Sequence, residues 1–183
     1  MRKYAAYLVM LGLLAVAAGG CSRNVKDTSL VDASHDAADE LIDHIQDDRV
    51  LSFDLSPHKP VIVASFVNID NVQNSSRLGR MIAEQMGSRF IQHGYQVIEM
   101  KLRTNSIFIE KERGELILSR ELRDISVEHD AQAVIVGTYA AASQVVYVTA
   151  KVIRTSDGVI MASHDYSLPL GPDTKSMLQS GRR

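Results

Sequence analysis

PVIVASFVNIDNVQNSSRLGRMIAEQMGSRFIQHGYQVIEM, residues 60–100, decides the fold. Val61-Ile62-Val63-Ala64-Ser65-Phe66-Val67 is a continuous apolar, β-branched-rich run, the pattern of a strand covered on both faces. Pro57 and Pro60 mark its entry, and Asn68-Ile69-Asp70-Asn71 leads out into a polar loop. Ser75 or Ser76 can then cap a helix whose Leu78, Met81, Ile82, Met86 and Phe90 fall on one face. Gly94 stands where a left-handed residue ends a helix, and Tyr95 to Met100 reads as a second strand. Strand, helix, glycine, strand is a βαβ unit, which implies a parallel pair joined by a right-handed crossover.

Downstream the chain turns to β-structure. Ala133 to Tyr139 predicts a third buried strand. From Gln144 to Arg154, Val146, Val148, Ala150 and Val152 alternate with Tyr147, Thr149 and Lys151, a strand with one face covered. Thr155-Ser156-Asp157-Gly158 predicts a hairpin turn, with Asp-Gly as the strong two-residue signal. Val159 to Leu168 is the fifth strand, ended by Pro169, Gly171 and Pro172. Residues 171–183 read as a polar C-terminal tail.

Upstream, Ala38, Leu41, Ile42 and Ile45 predict a helix from Ser34, as N-cap, to about Asp48, with Asp39, Glu40, Asp43 and Asp47 towards water. Ser106 to Ile109 and Glu115 to Leu118 are short apolar pieces flanking a charged turn. Ser119 can cap a third helix with Leu122 and Ile125 inward. The expected fold class is α/β: a mixed five-stranded sheet with about three helices, a βαβ start and a C-terminal antiparallel meander. The domain is expected to span residues 34–170.

The first twenty-one residues have a separate logic. Arg2 and Lys3 precede an apolar run from Tyr4 to Ala18, the order of a secretory signal peptide, and the run is shorter than the roughly 20 residues a spanning helix needs. Ala18-Gly19-Gly20-Cys21 resembles the bacterial lipobox, in which small residues enter a peptidase site and the cysteine thiol accepts a diacylglycerol. Ala18 departs mildly from the bulky aliphatic usual at that place. Cys21 is the only cysteine in the chain, and several acyl chains on it would make a stable anchor. Residues 1–20 are thus expected to be removed and 21–33 to form the acylated N-terminus and tether. Ser22 takes the place where an aspartate would signal inner-membrane retention, which points to the outer membrane with the domain in the periplasm.

Composition narrows the partners. The formal charge is −2, and removing Arg2 and Lys3 takes it to −4, so a strongly basic nucleic-acid face is absent. No disulfide can form within a chain holding one cysteine. The chain has no tryptophan and few aromatics, which argues against an aromatic carbohydrate platform.

Catalytic patterns fail on geometry. Ser34-His35-Asp36 cannot be a triad, because consecutive residues do not converge. The histidines His35, His44, His58, His93, His129 and His164 lack a metal-ligand spacing. His129-Asp130 and His164-Asp165 are neighbours that fall at an element end or point to opposite faces of a strand. The loop before the second helix has no glycine-rich phosphate cradle, and Arg77 and Arg80 read as solvent-facing charges. Glu110, Glu112, Glu115 and Glu121, mixed with Lys and Arg, read as a solvated ion-pair face, with Glu110 to Arg113 as a contact candidate. The expectation is therefore no catalytic, cofactor or metal residue, with Cys21 as the one functional position.

Two stretches carry a family resemblance: VIVASFVNID with SSRLGRMIAEQMGSRF and QHGYQVIE, and GELILSRELRDI followed by DAQAVIVGTYAAASQVVYVTAKVIRTSDGVIMAS. With the lipobox, these resemble the FlgO family of outer-membrane lipoproteins that accompany polar or sheathed flagella. The resemblance implies a non-enzymatic accessory component of the flagellar basal body, needed for stable flagella and motility, with ring proteins and further copies of itself as partners. The strand-helix-strand and closing hairpin also resemble, more loosely, the curli secretion pore and lipoprotein activators of penicillin-binding proteins. No stretch suits insertion of long amphipathic strands, because the one long pair contains Lys151, Arg154 and Asp165. An activator of a penicillin-binding protein is the alternative, although such activators carry a longer, Pro-rich tether.

Overall fold

The computed structural model describes residues 27–47, 55–70, 76–100, 107–109, 116–118 and 120–179. Cys21, Ser119 and the Glu110 to Arg113 turn lie outside these residues. The strands are β1 (Val61–Ala64), β2 (Val67–Asn68), β3 (Val97–Met100), β4 (Ile107–Ile109), β5 (Leu116–Leu118), β6 (Ala133–Ala141), β7 (Val145–Arg154) and β8 (Ile160–Pro169). The helices are α1 (Leu30–Gln46), α2 (Arg77–Gln92), α3 (Arg120–Glu128) and α4 (Pro172–Leu178).

The main sheet runs β3-β1-β6-β7-β8, with β2 also pairing β6. β1 is parallel to β3 and β6, while β6, β7 and β8 form the antiparallel meander. β4 and β5 form a separate antiparallel pair. The mixed α/β architecture expected from the sequence is the one observed.

One face of the sheet carries the main core. Val61, Val63, Ile135, Val146, Val148, Ala150 and Val152 meet Ala38, Leu41, Ile42 and Ile45 of α1 and Leu78, Ile82, Met86 and Phe90 of α2. The alternation read along β7 holds: Val146 to Val152 are buried on that face, and Tyr147 is 59% exposed on the other. A smaller cluster of Ile62, Ala64, Val134, Val136 and Ile153 on the opposite face is partly covered by Ile125 of α3. Both faces of β1 are therefore dry, which is why its sequence lacks polar alternation.

Four expectations need correction. The run from Val61 to Val67 is broken at Ser65 and Phe66, where the Phe66 N–H donates to the Gly79 carbonyl of α2 at 3.1 Å. The Phe66 ring lies over Gly137 and its carbonyl against Gly79, so a Cβ at either glycine would overlap it. Close approach of helix to sheet thus takes precedence over strand continuity. Next, α1 begins at Leu30, not after Ser34. The Ser29 hydroxyl accepts from the Asp32 N–H at 3.2 Å, and Ser34 is fully buried inside the helix. Leu30 and Ala33 extend the apolar face upstream, which favours the earlier cap.

The third concerns the hairpin between β7 and β8, which turns at Thr155 to Gly158 as expected but not through a two-residue Asp-Gly connection. Arg154 N–H donates to the Val159 carbonyl at 2.9 Å, leaving a four-residue loop in which Gly158 has φ +76°. The fourth is the expected tail, where residues 172–178 are helical. Pro172 at the first helical position is preset for that geometry, and Met177 and Leu178 pack on the main core. Met81, assigned to the apolar face of α2, is 38% exposed.

Two helices end in the same motif. After α2, Gly94 N–H donates to Ile91 and Tyr95 N–H to Phe90, and the Phe90 and Tyr95 rings lie 5.7 Å apart. This is a Schellman ending with its hydrophobic contact, at the glycine read from the sequence. After α3, Asp130 N–H donates to Val127 and Ala131 N–H to Ser126. Here the left-handed position, φ +47°, is held by Asp130 rather than a glycine.

Candidate functional site

The N-terminal ends of β1 and β6 and the β7–β8 turn enclose a polar cleft of about 340 Å³. Its organising residue is Gln132, 8% exposed. The Gln132 Oε1 accepts from the Ser56 N–H at 2.8 Å, and its Nε2 donates to the Ser56 and Lys59 carbonyls at 2.6 and 2.7 Å. One amide thus satisfies three backbone groups of the loop leading into β1. The Thr155 hydroxyl donates to the Ala131 carbonyl at 2.6 Å, tying the hairpin turn to the same place.

The rim is charged. Lys59 Nζ lies 3.0 Å from Asp130 Oδ1, both side chains being largely exposed. Arg154 Nε lies 3.0 Å from Asp157 Oδ1. The Val159 N–H donating to the Asp157 carboxylate, with a smaller contribution from Arg154, outweighs burial and holds that carboxyl below its usual range. The rim thus carries two ion pairs above a floor that the Gln132 amide bonds to the loop before β1. Its lining holds no thiol and no imidazole.

A second polar cluster joins α1 to α2. Both carboxylate oxygens of Asp39 accept from Arg89, from Nε and Nη2, each at 2.7 Å, and His93 Nε2 lies 2.8 Å from Oδ1. Arg89 is the main cause of the lowered Asp39 pKa. With both oxygens engaged by a guanidinium, Asp39 is a counter-ion between helices, not the water-facing residue its spacing suggested. Beneath α1, burial pushes the Tyr166 hydroxyl upward in pKa, offset slightly by the nearby Ser34 hydroxyl. Neither hydroxyl makes a hydrogen bond of ordinary geometry.

The third cluster is at the other end of the sheet. Asp27 Oδ2 accepts from the Asp173 N–H at 2.9 Å, and Oδ1 from the Thr174 N–H and hydroxyl at 3.3 and 2.9 Å. Burial opposes ionisation of Asp27, but the bonds from Asp173, Thr174 and Gly171 outweigh it and lower the pKa. A Cβ at Gly171 would overlap Asp27. The segment read as a tether is therefore fixed to the C-terminal helix from Asp27 onwards.

Cys21, the one site residue expected from the sequence, is outside the described residues. Among the described residues the structure brings no candidate catalytic set together from the histidines: His44 and His129 are exposed, His35 is half-buried, and the His164 ring lies 6.2 Å from that of Tyr166. Among the described residues no group of three or more His, Cys, Asp or Glu could hold a metal ion, and no helix is long and apolar enough to cross a membrane. Arg77, read as a solvent-facing charge, donates to the Ser176 carbonyl of α4. The clusters around Gln132, Asp39 and Asp27 were all missed on sequence, since each joins residues far apart in the chain. Gly171-Pro172, read there as ending a strand, is the one signal that could have found one of them, as a helix start.

Comparison with known proteins places this fold. The C-terminal domain of LpoB from Salmonella enterica superposes with a TM-score of 0.50 at 10% identity, over 76% of this chain and 98% of that one. The PelC dodecamer from Paraburkholderia phytofirmans gives 0.43 at 16% identity, over 69% and 78%. Lipoprotein GNA1162 from Neisseria meningitidis gives 0.41 at 14% identity, over 68% and 88%. No curated protein sequence matches the chain. Residues 35–173 match the family described as FlgO protein, from α1 through the meander to the start of α4. The chain belongs to the FlgO protein family.

Proposed function

We propose that this protein is a lipid-anchored, non-enzymatic accessory component of the flagellar basal body at the outer membrane. The observation that carries the reading is the family match over residues 35–173. The Ala18-Gly19-Gly20-Cys21 motif supports the anchor, with Cys21 as the acylated residue and the domain in the periplasm. The geometry is compatible with work done by contact. The polar cleft is floored by a glutamine amide bonded to three backbone groups and rimmed by ion pairs, an arrangement suited to protein recognition.

The test is to purify basal bodies with their outer-membrane rings and probe them for the protein. Enrichment that is lost in a Cys21→Ser strain is the expected result. A protein spread evenly over the outer membrane, with motility intact in its absence and wall growth impaired, would overturn the flagellar role in favour of activating a penicillin-binding protein. A Cys21→Ser protein that stays fully membrane-bound would overturn the anchor.

A further inference from the structure

We infer that the domain stands end-on to the lipid surface, with the α4 end against the membrane and the Gln132 cleft turned away from it as the partner-facing end. The inference rests on the proposed lipid anchor at Cys21 and deepens it.

The first observation is where the chain becomes fixed. Asp27 is bonded to Asp173 and Thr174 at the start of α4, and Gly171 leaves no room for a side chain beneath it. Only six peptide units separate Cys21 from Asp27, so the connection spans at most about 22 Å even fully extended. A domain of this size is wider than that.

The second observation is which end Asp27 occupies. The Leu170 N–H donates to the Gln144 carbonyl at 2.7 Å, and Ala142 N–H to Val145 at 2.8 Å, so α4 begins beside the β6–β7 turn. The cleft is lined by Arg154, Thr155 and Ser156, at and just beyond the other end of β7. β7 runs Val145–Arg154, and at about 3.3 Å per residue it separates the two ends by about 30 Å. With the cleft against the membrane, Asp27 would stand farther from the lipid than its connection to Cys21 can reach. The α4 end is the one the tether can bring to the bilayer, and the cleft end is the one left free for a protein partner.

The experiment uses the acylated full-length mature protein in phospholipid vesicles containing a headgroup-labelled energy acceptor. Ser143→Cys and Ser156→Cys, both at exposed turn positions, each carry a donor dye, while the acylated Cys21 sulfur cannot react. Transfer several-fold stronger from position 143 than from position 156 is expected. Asp27→Ala frees the chain as far as the α1 cap, and Gly171→Ala expels the Asp27 carboxylate by sterics; in either variant the difference between positions should narrow. Equal or reversed transfer in the parent protein overturns the orientation while leaving the anchor intact. A difference unchanged in both variants overturns the role of Asp27. A parent protein that does not float with the vesicles overturns the anchor itself.

Discussion

The two ends of the sheet use their polar groups in opposite ways. At the α4 end, Asp27 spends both carboxylate oxygens on one short helix, closing the chain on itself across nearly the whole sequence. At the cleft end, Gln132 closes the floor in the same inward manner, but Lys59, Asp130 and Asp157 stay at the surface. One end is a closure and the other a floor with a charged rim. The difference separates residues whose loss should cost stability from residues whose loss should cost recognition.

The largest effect is expected from Gln132→Ala. It strips the partner from the Ser56 N–H and the Lys59 carbonyl and leaves the Ser56 carbonyl with the Lys59 N–H alone, a loss of about 2 kcal/mol at the usual cost of unsatisfied groups in a half-buried place. Urea denaturation should show a lower midpoint at an unchanged slope, and an unaltered midpoint would mean that water replaces the amide. At the opposite end, Asp27→Ala removes a capping carboxylate and should cost about 1 kcal/mol. The signature is local: hydrogen exchange should quicken in Pro172–Leu178 and leave the meander protected. Gly171→Ala should reproduce that pattern, and a global change in exchange would erase the distinction between the ends.

Acid should act on both ends. Hydrogen bonds and, for Asp39 and Asp157, an arginine partner hold the folded pKa values of Asp27, Asp39 and Asp157 below the ordinary aspartate value. Groups depressed in this way contribute fully above their unfolded pKa and lose that contribution as pH falls through the folded one. Stability should therefore hold from neutrality to about pH 4 and decline below it, with Asp27→Asn blunting the decline. A loss beginning near pH 6 would instead implicate a histidine. The smallest change is expected from Asp130→Gly, which relieves a left-handed residue but breaks an exposed ion pair, a net change within about 1 kcal/mol. If the rim serves recognition, this variant should fold normally and yet lose basal-body association. Normal association would remove Asp130 from the binding surface.

Much of the fold was legible because burial writes a period into the sequence. Leu78, Ile82, Met86 and Phe90 on α2, and Val146 to Val152 on β7, were placed by spacing alone. Gly94 announced the end of α2 because a left-handed ending favours that residue, whereas Asp130 hid the same motif behind a residue common in turns. Misreadings arose where two local signals competed: Ser34 against Ser29 as a cap, or strand continuity against the approach of Gly79 to Phe66. As a candidate functional position the sequence offered only Cys21, since a lipobox-like pattern is read in order along the chain.

The sequence by itself determined that this is an α/β chain with parallel central strands and a closing meander. Hydrophobic period, turn chemistry and short linear motifs are local, and local patterns survive without coordinates. Tertiary structure decided that Asp27 meets Thr174, that Asp39 meets Arg89, and that Gln132 meets the loop before β1. Each pairing joins residues at least 50 positions apart, and a polar side chain carries no mark of which distant backbone or charge will satisfy it. That choice is made only when burial removes water and requires every polar group to find a partner.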